Sequence, residues 1–137
     1  MQRIWTLLAA AAAAAIATTA LAQDVPATQG ASEPEKARIL ALIEAAKKEG
    51  SVTYWDVVIQ PETNDALTAA FLKYYGLPSS FKVNYQLLAT GNLVTRLEQE
   101  IAADRVSVDI AAVGSPPWVF ERANKGDALE YESPQYQ

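Results

Sequence analysis

The chain has 137 residues, 11 of them basic and 16 acidic, for a net charge of −5, and it contains neither histidine nor cysteine. Without cysteine there are no disulfides, thiolate metal sites or lipid-anchored N-terminus, and without histidine there are no imidazole bases or ligands. Ser-His-Asp hydrolases and His-ligated zinc enzymes are therefore ruled out within this chain. The acidity, with no basic cluster, argues against nucleic acid and anionic membrane surfaces as partners.

Residues 1–22 read as a cleavable signal peptide. Arg3 precedes the alanine-rich apolar stretch Ile4 to Ala17, and Ala20-Leu21-Ala22 has the small-x-small form of a cleavage site. Gln23 becomes the first mature residue, and the expected location is the periplasm. A membrane anchor is the alternative, but the apolar core is shorter than the ~20 residues a span needs. Cleavage after Ala22 leaves Gln23 to Gln137, enough for one small domain. The loss of Arg3 takes the net charge from −5 to −6.

Residues 23–31 are rich in Pro, Gly and small polar side chains and are expected to form a disordered mature N-terminus, with the folded part at 32–137. Ser32-Glu33-Pro34-Glu35 has the form of a capping box. Ile39, Leu42, Ile43 and Ala46 then recur at helical spacing up to the stop at Gly50. Ser51 to Val58 (SVTYWDVV) is a run of β-branched and aromatic residues that reads as a strand buried on both faces. Pro61 opens a second helix with Ala66, Leu67, Ala70, Phe71 and Tyr74 as its apolar stripe, ended by Gly76 and Pro78.

FKVNYQLL (Phe81 to Leu88) alternates apolar and polar residues, as a strand nearer an edge does. A loop at Ala89 to Asn92 leads into a helix over Leu93 to Asp104 that turns Leu93, Val94, Leu97 and Ile101 inward. VDIAAVG (Val108 to Gly114) is nearly all apolar and reads as a second fully buried strand. The last helix follows Ser115-Pro116-Pro117-Trp118 and runs to about Lys125, with Val119, Phe120 and Ala123 inward and Gly126 as its stop. Strands separated by helices of about a dozen residues predict an α/β fold: a parallel three-stranded sheet of order 2-1-3, with Ser51 to Val58 central and helices on both faces.

In such a sheet, ligands sit outside the carboxyl ends of the strands, so three loops are the candidate site. Thr90, Gly91 and Asn92 stand at a helix start, where free N–H groups suit an anionic or polar oxygen, or they simply cap the helix. Ser115 holds the same position after the third strand. Trp55 either faces the ligand or belongs to the core. Asp56 either faces the ligand, caps a turn or pairs with a cation. No pair of carboxylates and no phosphate-cradling glycine loop is present, so no catalytic residue, metal or cofactor is expected.

The stretches AAKKEGSVTYW (Ala45 to Trp55), TGNLVTRLEQEIAA (Thr90 to Ala103) and VDIAAVGSPPWVFERANKGDALEYESP (Val108 to Pro134) resemble the N-terminal part of the solute-binding proteins of bacterial ABC importers, in the iron(III), polyamine, thiamine and phosphonate branch. The resemblance implies most of the N-terminal lobe of a type II periplasmic-binding-protein fold. It also implies a monomeric, non-enzymatic binder that traps a small polar or charged solute between two lobes and docks on an inner-membrane permease. In position, Trp55, Asp56, Thr90, Gly91, Asn92 and Ser115 match the ligand loops of that lobe. Iron is not supported, since the iron binders use His and a tyrosine pair of the second lobe, and Asp56 leaves open an amine ligand. The alternatives are a remnant without binding activity and a ligand-sensing periplasmic subunit.

Overall fold

The computed structural model describes residues 25–131, so the expected leader at 1–22 and the first two mature residues lie outside it. A 3-10 turn, Pro26–Thr28, is followed by α1 (Glu33–Glu49), β1 (Ser51–Asp56), α2 (Pro61–Tyr75), β2 (Lys82–Leu87), α3 (Thr90–Ala102), β3 (Ile110–Ala111) and α4 (Pro116–Lys125). The strands form one parallel sheet in the order β2-β1-β3, with Tyr54 opposite both Tyr85 and Ile110. The chain steps from β1 to β2 in one direction and returns past β1 to β3. Right-handed crossovers therefore put α2 and α3 on opposite faces. This is the predicted α/β sheet of order 2-1-3 with helices on both faces.

Each face has its own core. Alternation along a strand sends Val52 and Val83 to the side of α1 and α2, where they pack on Ile43, Leu77 and Phe81. Trp55 points the other way, onto Leu93 and Leu97 of α3, with Val57, Leu88, Val113 and Trp118 around them. Leu93 is 0% exposed and is the anchor of that side.

Several expectations are corrected. Within the segment expected to be disordered, Val25, Ala27 and Thr28 are buried, and the Thr28 hydroxyl and amide both donate to the Val25 carbonyl at 2.9 Å. Val25 is seated on Gly76, where a Cβ would come within 2.6 Å of its Cγ1; Gly76 also has φ +60°, so glycine serves both the turn and the seat. Ser32 does begin α1, but its side chain makes no capping bond, and Glu35 pairs with Arg38 at 2.6 Å instead.

Two helices present a different face from the one expected. In α2 the residues turned inward are Asn64, Thr68, Leu72 and Tyr75, while Ala66, Leu67, Ala70, Phe71 and Tyr74 are exposed. In α4, Trp118 and Arg122 face α3, donating to Glu98 Oε1 at 3.0 Å each, and Val119, Phe120 and Ala123 face out.

The strands are also less covered than expected. β1 is buried only at Trp55 and Asp56. β3 is only two residues long, both exposed: the Asp109 carboxylate takes the Thr53 N–H at 2.7 Å, and no described element covers Ile110, which is 55% exposed.

Candidate functional site

Parallel strands deliver the three loops to one edge, and the loops touch. A Cβ built on Gly114, after β3, would lie 3.0 Å from Thr90 Oγ1, after β2, and 3.4 Å from Val57 Cγ2, after β1. Close approach at this point favours a residue without a side chain, since a Cβ would fit only if Thr90 gave way by a few tenths of an ångström.

Of the six expected residues, Thr90, Gly91, Asn92 and Ser115 stand at this rim. The first three are not a loop. They are the opening turn of α3, which starts earlier than expected because Ala89 already takes the N-cap position. Ala89 has no side chain with which to cap, and the first helical bond runs from Leu93 N–H to the Ala89 carbonyl at 3.0 Å. The amides of Thr90, Gly91 and Asn92 thus have no partner within the helix and carry the positive end of its dipole. Ser115 is the N-cap of α4, with its hydroxyl free of any capping bond. Pro116 and Pro117 lack N–H groups, so α4 contributes fewer donors than α3.

Trp55 and Asp56 are placed differently. Trp55 is 2% exposed and belongs to the core. The Arg96 guanidinium lies 3.8 Å above the centre of its ring, close enough for a cation–π contact. Arg96, read from the sequence as surface charge, is held there by bonds to Gln86 Oε1 at 2.9 Å and Glu100 Oε1 at 3.2 Å.

Asp56 is also 2% exposed, and both its oxygens are engaged. Oδ1 accepts from the amides of Val58 and Ile59, the latter at 2.6 Å, and Oδ2 accepts from the Tyr54 hydroxyl. Burial pushes this carboxyl up, but the Tyr54 hydroxyl and the amides of Ile59, Val58 and Val57 outweigh it, leaving the group below the usual aspartate range. Burial, with the Asp56 carboxylate beside it, pushes the Tyr54 phenol up to about 12. Asp56 is therefore the turn-capping residue that shapes the loop after β1. The Tyr85 hydroxyl donates to the Ile59 carbonyl and ties that loop to β2.

Sequence reasoning missed the Tyr54–Asp56 pair, although two residues separated by one along a strand share a face, which was the available signal. It named Val57 beside Trp55 and Asp56 after the first strand without giving it a role and left Gly114 out of the candidate site, and nothing local in the sequence marks their contact with Thr90. No family model matches the chain, and no curated protein matches it.

Proposed function

We propose that the rim of Val57, Thr90 to Asn92 and Gly114 to Ser115 is one wall of a binding site for a small polar solute. The chain would act as the extracytoplasmic solute-binding component of an ABC importer, without turnover. One wall alone would leave a solute open to water, so tight capture would depend on closure by a second lobe from the other side. The observation that carries this reading is the meeting of three loops at Thr90, beside a helix start whose amides have no helical partner.

The same geometry narrows the solute. Asp56 is the one acid among the six expected residues, and its oxygens are already engaged, so it offers nothing to an amine. The N–H groups of α3 and the hydroxyls of Thr90 and Ser115 favour oxygen acceptors, so a carboxylate or phosphonate is preferred over a polyamine. Thermal-shift measurements with millimolar carboxylates, phosphonates and amines test this, because a ligand bound only by the native state raises the melting point. A rise with the oxyanions and none with the amines is expected. A rise confined to the amines, or no rise at all, contradicts the reading.

A further inference from the structure

Between α1 and α2 lies an apolar cavity of about 260 Å³ that shares no residue with the rim. Ile43 and Leu77, both buried, form its floor, and Leu42, Phe71 and Tyr74 stay open to solvent at its mouth. An apolar cavity of ~150 Å³ takes up benzene, so this one has room for a larger ring system.

The lining selects the occupant. The rings of Phe71 and Tyr75 lie tilted with centroids 5.1 Å apart, and Tyr74 meets Tyr75 edge-on at 5.0 Å. All three line the cavity, so a further ring entering it can join them in tilted or edge contacts. The two charged residues of the lining, Glu35 and Arg38, hold each other through hydrogen bonds of 2.9 and 2.6 Å. An ionic ligand would have to break that pair or lie unpaired among apolar groups, which is costly. A protein partner is disfavoured by size. The cavity is framed by helices of 17 and 15 residues. Side by side, such helices present a face on the order of 400 Å², roughly half of the ~800 Å² per partner that a stable interface buries.

We propose that the α1–α2 cavity is a second binding site, for an uncharged aromatic small molecule of one or two rings, with Phe71, Tyr74 and Tyr75 as the contacting wall. The site is independent of the rim and stands whether or not the rim takes a solute.

Indole is the probe, read by isoleucine methyl NMR of the full chain. Ile39 and Ile43 line the cavity, whereas Ile101 and Ile110 lie outside it and serve as references. Indole is expected to shift the Ile39 and Ile43 methyls saturably, with a Kd below about 1 mM, and to leave the references in place. Benzoate and benzylamine, of similar size but charged, should bind there at least about tenfold more weakly. Ala46→Leu fills the cavity from α1 and should weaken indole binding at least about fivefold. Phe71→Ala, at a position already 37% exposed, removes one ring and should weaken it about threefold or more. No saturable shift at Ile39 and Ile43, equal binding of the charged probes, or undiminished binding by either folded variant overturns the proposal. So does a shift of these methyls that follows protein concentration without indole, which would assign the cavity to a second copy of the chain.

Discussion

The loop after β1 and the loop after β2 stand side by side at one edge of the sheet and handle their backbone amides in opposite ways. After β1, the Asp56 carboxylate gathers the amides of Val58 and Ile59 and the Tyr54 hydroxyl, so the loop satisfies its own polar groups. After β2, the chain enters α3 through Ala89, and the amides of Thr90, Gly91 and Asn92 find no side-chain cap. Buried polar groups must be paired, whereas groups left bare at an exposed edge are available to something from outside. The first loop is therefore scaffold, and the second is the one whose free donors the proposed solute site would use.

Leu93 is fully buried and pins the start of α3 against Trp55. Leu93→Ala is therefore expected to cost about 2–5 kcal/mol in urea denaturation. Asp56→Ala leaves two amides and a phenol without their acceptor. It is expected to cost about 2–3 kcal/mol in the same measurement.

Acid titration sharpens the same point. The folded Asp56 carboxyl titrates below its ordinary range. Its unfolded value is about 3.9, so the charged form contributes stability above that pH. The contribution is lost as the pH falls through the folded value, and Asp56→Asn should remove part of the acid sensitivity. Glu100, lowered chiefly by the Ser107 amide, supplies another part.

At the rim itself the effects shrink. Gly114→Ala pushes a methyl to 3.0 Å from Thr90 Oγ1. The change should cost about 1 kcal/mol while displacing Thr90. Ser115→Ala should change stability by less than about 0.5 kcal/mol and weaken oxyanion binding, which separates a ligand-facing hydroxyl from a structural one.

Elements with strong punctuation were legible in the sequence. Pro61 and Gly76 bracket α2 at its observed ends, Gly50 and Gly126 stop α1 and α4, and the crossover spacing gave the strand order. Which side of a helix faces the core was less legible. In α2, Phe71 with Leu72 and Tyr74 with Tyr75 make two apolar stripes one position apart, and periodicity cannot choose between them; packing on Phe81 and Leu77 selects Leu72 and Tyr75. In α4, the polar Arg122 is turned inward because Glu98 awaits it. The apolar run around β3 suggested burial, although the predicted order already put that strand at the border of the sheet; hydropathy does not reveal that no described element covers Ile110. Val25 was lost among small polar residues, since its role depends on the seat at Gly76, far along the chain. For the candidate site, position after a strand was enough to place Thr90 to Asn92 and Ser115 at the shared sheet edge, while the burial of Trp55 and Asp56 depended on α3 and on the turn they support.

The most direct test of the rim is amide-resolved NMR of the chain titrated with a small carboxylate or phosphonate at low salt. The amides of Thr90, Gly91 and Asn92 should shift first and furthest, Val57 and Gly114 less, and Val58 and Ile59, already bonded to Asp56, least. Shifts centred on the Asp56 turn, or scattered with no response at the start of α3, would contradict the account.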